Sequence, residues 1–226
     1  GTDLEKILDQ SSSLQVKSAL KYFKQILSAL AFAHQKSVIH RDIRPSNILI
    51  NLDDDVKIAD FGTSTLLQEK QFATTKIGSP PYMAPEQFEG KAVFASDIYS
   101  AGSLFYEMAT GFPPIVLANP MEIYKRAKVG QFTPLSQKNS LVPPELNRVI
   151  MKTLAPNLKD RYAQAIDVLN DLEHMSDRNR DYSSELKDIQ KRIQARESRT
   201  DFICWNCRKA MGRRVKVCPY CGEEQC

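Results

Sequence analysis

Cysteine is absent from the first 203 residues of this 226-residue chain, and all five cysteines fall within the last 23. This distribution excludes a disulfide framework spread through the chain and favours a reducing compartment. Long apolar runs are also absent, since no segment approaches the ~18 consecutive apolar residues of a membrane-spanning helix. No basic segment followed by an apolar one opens the chain, so we predict no signal peptide and a cytoplasmic location.

A strong excess of one charge is missing too. The net charge of +4 is too small to indicate nucleic-acid binding by itself. Hydrophobic residues make up 42% of the chain, which is usual for a globular protein. The length fits one domain or one and a half, with enough residues to bury a core.

Helical periodicity is the main structural signal that is present. Leu20, Phe23, Leu27 and Leu30 recur at helical spacing, which predicts a long, largely buried helix over residues 14–36. Residues 96–110 are apolar on most sides and predict a second buried helix that Gly111 ends. Other helices are predicted over residues 2–10 and from starts near Asn119, Pro143 and Tyr162.

Strand signals are short and few. The runs NILIN (47–51) and VKIAD (56–60) are strand-like and are separated by LDDD, a turn signal. Residues 63–81 have little periodicity and many Thr and Ser, so we predict a loop there. The expected fold class is therefore mainly α, with short β-hairpins.

A cluster of charge lies between two apolar runs in VIHRDIRPSNILI, residues 38–50. It contains HRDIRPSN (40–47) and is followed by DFG (60–62) and APE (84–86), in that order. The three motifs resemble the signature set of the protein kinases. The resemblance covers roughly residues 1–175 and implies the helical C-terminal lobe of a kinase domain.

The resemblance implies a site for ATP and Mg²⁺ built by four side chains. Phosphoryl transfer depends on positioning and charge stabilisation, and it needs a carboxylate to orient the incoming hydroxyl, which Asp42 would supply. Asn47 and Asp60 would offer oxygen ligands to Mg²⁺, and Arg44 would assist the transferring phosphate. The flanking apolar runs are expected to anchor this polar loop.

One position departs from the family pattern. Arg44 stands where Ser/Thr kinases usually carry lysine, so the charge is kept but a planar fork replaces a point donor. Arg44 puts the efficiency of phosphoryl transfer in question more than the resemblance to the kinase family. Pro45 resembles the Ser/Thr class, which implies protein substrates with Ser or Thr acceptors. His40 is expected to be structural, packed against the phenylalanine of DFG.

Regulatory and supporting residues are also implied. Arg41 precedes the catalytic aspartate and could hold an activation-loop phosphate through charge-assisted hydrogen bonds. Thr74 and Thr75 are the nearest acceptors for that phosphate, and the alternative is that they are ordinary loop hydroxyls. The remaining implied contacts are Ser79 with the catalytic aspartate, Glu86 with Arg161 as a buried pair, and Asp97 as a brace for the catalytic loop.

An N-terminal lobe is not recognisable in these residues. The sequence has no G-x-G-x-x-G loop, no strand lysine for the α/β-phosphates and no helix glutamate to pair with it. We therefore expect a fragment of a kinase domain that is inactive alone. The competing interpretation is a kinase-like scaffold, or pseudokinase, that recruits partners through its C-terminal module.

The C-terminal module is predicted from cysteine spacing. Residues 176–200 are highly charged and are expected to be a linker helix or a surface helix. Within residues 201–226, two C-x2-C pairs are separated by ten residues, the pattern of a zinc ribbon. The predicted Zn²⁺ ligands are Cys204, Cys207, Cys218 and Cys221, with iron, disulfides or unbound thiols as the alternatives.

Basic residues and one tryptophan accompany these cysteines. They could bind a protein partner or, less favoured, a nucleic acid. The alternative is a solvated basic face that offsets the negative charge of a zinc–tetrathiolate centre. The residues concerned are Trp205, Arg208, Lys209, Arg213, Arg214 and Lys216.

Overall fold

The computed structural model describes residues 1–61, 65–66, 79–175, 202–211 and 215–224. The chain divides into two compact units, Gly1–Met175 and Ser176–Cys226. Within the described residues, no helix is long and apolar enough to cross a membrane.

Helices form most of the first unit. They are α1 (Leu4–Ser11), α2 (Val16–Gln35), α3 (Pro85–Phe88), α4 (Phe94–Thr110), α5 (Pro120–Val129), α6 (Leu135–Lys138), α7 (Pro144–Thr153) and α8 (165–175). Short 3-10 turns cover Pro45–Asn47, Pro80–Tyr82 and Leu158–Asp160. The predicted fold class, mainly α with short strands, is confirmed.

The two long helices pack against each other and form the core. Phe23 of α2 and Phe105 of α4 are fully buried, and their ring centroids lie 5.1 Å apart. α4 begins two residues before the predicted start and ends where Gly111 adopts a left-handed conformation (φ 87°). A Cβ at Gly111 would lie 2.7 Å from the carbonyl oxygen of Ser12, so only glycine fits this turn without strain.

A three-stranded antiparallel sheet joins the start of the chain to the hairpin that follows the charged loop. Its order is β1 (Thr2–Asp3), β3 (Ile48–Ile50) and β4 (Val56–Ile58). β1 corrects the prediction of a helix over residues 2–10, because Asp3 is extended and caps α1 by accepting a hydrogen bond from the Lys6 amide at 2.9 Å. A second pair joins β2 (Val38–Ile39) to β5 (Thr65–Leu66).

The β3–β4 hairpin is fastened to α2 at its turn. Asp54, in a left-handed conformation (φ 62°), accepts hydrogen bonds from the Tyr22 hydroxyl at 2.8 Å and the Lys21 ammonium at 3.1 Å. Gln25 donates to the carbonyl of Asp54 and accepts from the amide of Val56, both at 2.9 Å. The hairpin that follows the charged loop is therefore fixed to the longest helix of the unit.

The second unit has its own small core. Its strands β6 (Phe202–Ile203) and β7 (Ala210–Met211) are antiparallel, and Val217 bridges to Glu224. Cys204, Met211 and Cys218 are buried, with Cys207 and Val215 packed against them. The predicted linker, residues 176–200, lies outside the described residues.

Candidate active site

The charged loop runs from β2 to β3 and is anchored by apolar side chains. Ile39, Ile43 and Ile48 are at most 1% exposed, and they alternate with the polar residues. Burial of these isoleucines favours one path for the loop, because each removes apolar surface from water. This arrangement explains why so much charge stands between two buried segments.

Asp42 is the centre of the polar contacts in this loop. The Asn47 side-chain amide donates to its carbonyl at 2.8 Å and to its carboxylate Oδ2 at 3.1 Å. The Ser79 hydroxyl donates to Oδ1 at 3.0 Å. Asp42 is half-buried, so its carboxylate is held by two segments while remaining open to solvent.

Arg44 extends alongside this carboxylate. Its Nη1 donates to the Ser79 hydroxyl at 3.0 Å, and its Nη2 lies 3.5 Å from a carboxylate oxygen of Glu5. The guanidinium is thus directed towards the group that contacts Asp42. Glu5 was not anticipated from the sequence, since it comes from α1 and no local pattern links it to residue 44.

Asp60 follows β4 at the other side of the loop. The amide of Ala59 donates to the carbonyl of Asn47 at 2.8 Å. Asp60 is the next residue after Ala59, so this hydrogen bond brings it close to the loop. Asp60 is exposed and has a left-handed backbone (φ 60°). The structure therefore places Asp42, Asn47 and Asp60 in neighbouring segments, while Gly62 of the DFG motif lies outside the described residues.

His40 lies beneath the loop and faces the DFG phenylalanine edge-on. Its ring centroid is 4.7 Å from that of Phe61, with an interplanar angle of 76°. Its Nε2 lies 3.0 Å from the carbonyl oxygen of Ala59, and its side chain is fully buried. These contacts tie the loop to the segment that carries Asp60.

Asp97 of α4 holds the backbone of the loop from below. It is fully buried and accepts hydrogen bonds from the amides of His40 (2.9 Å) and Arg41 (2.8 Å). His34 Nε2 also lies 3.0 Å from its carboxylate. Arg41 has a left-handed backbone (φ 71°), and the aspartate contacts are what secure that conformation immediately before Asp42.

Arg41 is itself buried within the unit. Burial lowers the pKa of its guanidinium, and the nearby carboxylate of Asp97 acts in the opposite direction. Gln87, which is 1% exposed, donates to the carbonyl of Arg41 at 2.9 Å. The predicted phosphate acceptors Thr74 and Thr75 lie outside the described residues.

Glu86 and Arg161 form a buried ion pair that links distant segments. The guanidinium meets both carboxylate oxygens, at 2.7 and 3.2 Å, and Ser96 donates to Glu86 at 2.6 Å. Arg161 also donates to the carbonyls of Ala155 and Ala95 at 2.9 and 3.0 Å. Both charges are therefore fully hydrogen-bonded, as burial requires.

The half-buried carboxylate of Glu107 was missed in the sequence. Glu107 accepts a hydrogen bond from the Tyr82 hydroxyl at 2.7 Å. Burial raises the pKa of Glu107 to about 7, which the bond from Tyr82 opposes and the negative charges of Glu5 and Asp9 reinforce. The available signal was an acidic residue inside an otherwise apolar helix pattern.

Gln87 was missed as well, although a local signal was present. Its side chain accepts from the amide of Ala84 at 3.0 Å, three residues earlier, in the manner of an N-terminal helix cap. A glutamine three residues after a helix start is a recognised capping pattern. Its second contact, to Arg41, crosses to another segment and has no signal in the sequence.

The four ribbon cysteines lie together in the second unit. We call residues 204–207 the first knuckle and residues 218–221 the second knuckle. All four Sγ atoms are within 4.8 Å of one another. The contacts between knuckles are 3.6 Å for Cys204–Cys221 and 3.7 Å for Cys207–Cys218.

This donor set fits a tetrahedral zinc ion. Four thiolates at ~2.3 Å from one ion would place the sulfurs ~3.8 Å apart, close to the contacts between the knuckles. Backbone amides further point at the sulfurs, from Cys207 to Cys204 and from Tyr220 to Cys218, each at 3.4 Å. The predicted cluster could therefore hold a metal.

Exposed basic and aromatic side chains surround the cysteines. Trp205 is 62% exposed, and its indole nitrogen donates to the carbonyl of Glu224 at 2.8 Å. The Lys209 ammonium lies 5.2 Å from the ring centroid of Tyr220. Arg208 and the other described basic residues of this unit are exposed too, while Arg213 and Arg214 lie outside the described residues.

Comparison with known proteins identifies the family. A sequence model of the protein kinase domain matches residues 1–217. The chain is 34% identical to a probable serine/threonine-protein kinase of Clostridium acetobutylicum, over 77% of this chain and 27% of that protein. It is also 34% identical to the serine/threonine-protein kinase PknB of Mycolicibacterium smegmatis, over 76% of this chain and 28% of that protein.

The chain therefore belongs to the protein kinase family, and the resemblance carried by its motifs is confirmed. Protein kinases use ATP with Mg²⁺ and phosphorylate proteins. The chain spans less than a third of the length of these relatives.

Proposed function

We propose that the first unit carries the catalytic half of a Ser/Thr protein kinase, which transfers the ATP γ-phosphate to a protein Ser or Thr hydroxyl. One observation supports this above others. A single half-buried carboxylate, that of Asp42, is contacted by Asn47 and by the Ser79 hydroxyl, with a guanidinium beside it.

In this proposal Asp42 orients the acceptor hydroxyl and takes its proton. The side-chain nitrogen of Asn47 donates to Asp42, so the side-chain oxygen of Asn47 is the atom that would bind a cation. Asp60 supplies the second, anionic oxygen ligand, the type that Mg²⁺ prefers. Magnesium-bound ATP supplies the phosphoryl group and neutralises part of its charge.

Arg44 has the role of stabilising the transferring phosphate. Its contact with the Ser79 hydroxyl keeps a fixed positive charge next to the catalytic carboxylate, and Glu5 limits where the fork can point. Preorganised charge of this kind is the main way in which phosphoryl transfer is accelerated.

The alternative is a kinase-like scaffold whose second unit recruits partners. The observation that favours it is Arg44 itself, since its planar fork is held between Ser79 and Glu5 instead of acting as a mobile lysine. Retention of Asp42, Asn47 and Asp60 favours the enzyme, because a scaffold does not require all three.

Replacement of Asp42 by asparagine tests the enzyme proposal. In a chain that supplies a glycine-rich lobe upstream of Gly1, kcat should fall roughly 10²–10⁴-fold while ATP affinity stays nearly constant, since Asp42 acts on the hydroxyl. Asp53→Asn, at an exposed turn position, is the matched control. A parent protein with no transferase activity would favour the scaffold, and an Asp42→Asn variant with most of the activity would refute the assignment.

We also propose that residues 1–226 alone do not transfer phosphate at a useful rate. They contain no glycine-rich loop or strand lysine for the nucleotide phosphates, and misplacement by ~1 Å can cost about 10²-fold in rate. A radiolabelled-ATP assay of this chain beside an extended one measures the difference. Equal labelling of substrate by both chains would contradict the proposal.

For the rest of the chain we propose a lobe over residues 1–175, a charged linker over 176–200 and a zinc ribbon over 201–226. The four thiolates would bind one Zn²⁺ per chain, and the exposed Trp205 supports a protein partner for this module. Metal analysis should find about one equivalent of zinc. Cys204→Ser should lose it and Cys226→Ser should keep it, and zinc retained by Cys204→Ser would contradict a four-thiolate site.

A further inference from the structure

We infer that the four-cysteine cluster is a redox-sensitive zinc site: hydrogen peroxide converts its ligands into two disulfides between the knuckles and releases the metal. This inference rests on the zinc site proposed above. It adds a regulatory property that the kinase family does not imply.

The disulfides follow from the contacts between the knuckles. Cys204 Sγ lies 3.6 Å from Cys221 Sγ, and Cys207 Sγ lies 3.7 Å from Cys218 Sγ. A disulfide bond is ~2.05 Å long, so each pair must close by about 1.6 Å. Both contacts link the two knuckles, and together they use all four ligands once.

Each of these pairs joins one accessible thiol to one buried thiol. Cys221 is exposed and Cys207 is half-buried, whereas Cys204 and Cys218 are 0% and 1% exposed. An oxidant from solvent therefore meets Cys221 or Cys207 first. In both cases a buried sulfur of the other knuckle lies within 3.7 Å of the accessible one and is shielded from the oxidant.

The chemistry requires one hydrogen peroxide for each disulfide. The accessible thiolate attacks a peroxide oxygen, so an S–O bond forms, the O–O bond breaks, and the leaving hydroxide takes a proton to become water. The buried thiolate then attacks that sulfur, an S–S bond forms, and a second hydroxide leaves and is protonated. Two electrons pass from the sulfurs to the peroxide.

Completion of both disulfides leaves no thiolate for the metal. Zinc in such a site is bound by thiolates and not by disulfide sulfur, so Zn²⁺ is released once the second pair has formed. Among the described residues the cluster of this unit has only three buried side chains, with two partly buried ones packed against them, so the metal supplies much of its stability. Loss of zinc is therefore a large structural change for this module.

The response is confined to this part of the chain. No cysteine occurs in residues 1–203, so the catalytic unit offers peroxide no thiol. Any oxidation of a thiol in this protein therefore reports on the C-terminal segment. Cys226 is the one cysteine of that segment that is not a proposed ligand, so the test must remove it.

The test uses the 226-residue protein with Cys226→Ser, purified with its metal. Hydrogen peroxide is added in steps, released zinc is followed with a chromogenic chelator, and disulfides are mapped by mass spectrometry of a non-reducing digest. We expect release of about one zinc per chain, together with the Cys204–Cys221 and Cys207–Cys218 disulfides. Reductant plus zinc should restore the bound form.

A ligand-preserving variant separates this switch from general damage. Cys221→His keeps a fourth zinc ligand at an exposed position while removing the partner of Cys204. Peroxide should then give only the Cys207–Cys218 disulfide. The inference would be overturned if the Cys226→Ser protein retained its zinc in excess peroxide, or if its disulfides formed within each knuckle. If that protein carried no zinc before peroxide was added, the zinc site itself would be overturned.

Discussion

Replacement of Asp97 by asparagine should destabilise the first unit by about 2–4 kcal/mol, although the two side chains have the same shape. One carboxylate oxygen accepts from the amide of Arg41, at 2.8 Å. The other accepts from the amide of His40 at 2.9 Å and lies 3.0 Å from His34 Nε2. Asparagine has one oxygen and one NH₂ group for these three partners.

The magnitude follows from the donors that lose their acceptor. Whichever way the new amide turns, its NH₂ group faces a backbone N–H, of either His40 or Arg41. A buried donor left without a partner costs about 1–3 kcal/mol. The bonds that remain lose their charged acceptor, and charge-assisted hydrogen bonds are about twice as strong as neutral ones. His34 can change its tautomer, so the penalty falls on the two backbone amides.

Urea unfolding of the 226-residue protein, followed by circular dichroism at 222 nm, is the appropriate assay. The helices among the described residues lie in the first unit, whereas the single tryptophan, Trp205, lies in the second and would report on the wrong part of the chain. The midpoint should fall without a change in slope. Asp53→Asn is the control and should stay within about 0.5 kcal/mol of the parent.

An Asp97→Asn variant as stable as this control would refute the reasoning. It would mean that the two loop amides do not depend on the carboxylate, and that the left-handed conformation of Arg41 is secured by other contacts. A loss of about 1 kcal/mol in the free energy of unfolding would still indicate that one buried backbone amide has lost its acceptor, which is the smaller part of the estimate.

Three further predictions use the same unfolding assay. Arg161→Met should cost about 3–5 kcal/mol, because it leaves Glu86 buried without its cation; a loss below about 1 kcal/mol would contradict a paired Glu86. Gly102→Ala should cost about 1–3 kcal/mol, since a Cβ would lie 2.0 Å from Thr153 Oγ1, and added Thr153→Ala should recover only part of it because the Cβ of residue 153 remains 3.0 Å away. Burial raises the pKa of Glu107 to about 7 in the folded protein. The stability that Glu107 contributes is therefore fully present below the pKa of a glutamate in the unfolded chain, and it is lost as the pH rises through 7. Glu107→Gln should therefore gain stability relative to the parent between about pH 5 and 8, and a pH-independent difference would exclude this titration.

The long helices could be predicted because their signals are local. The helix predicted over residues 14–36 runs from Val16 to Gln35, since the apolar spacing that faces the core is written in consecutive turns. Thr2–Asp3 was predicted as helix and is a strand, because pairing with Ile50 and Leu49 overrides a weak local preference. Two-residue strands carry too little pattern to be seen in a sequence.

The site was predictable only in part, for a related reason. Asp42, Asn47 and Asp60 belong to motifs that can be read in a row. Glu5 and Glu107 reach the site through contacts with residues far along the chain, and no spacing rule connects such positions. The roles of all these residues, and those of Thr74 and Thr75, stay predictions.

The polar residues of α4 hold the charged loop in place, and the proposed phosphoryl transfer depends on that placement. This helix is buried on nearly every side, yet three of its polar groups contact two segments of the site. Asp97 takes the amides of the catalytic loop, Ser100 donates to the carbonyl of Tyr82 at 2.9 Å, and Glu107 accepts from the hydroxyl of that same tyrosine. The charged loop and the segment bearing Ser79 therefore contact the same helix as well as each other. Because an error of ~1 Å can cost about 10²-fold in rate, disruption of any of these contacts should slow the proposed transfer without touching a reacting atom.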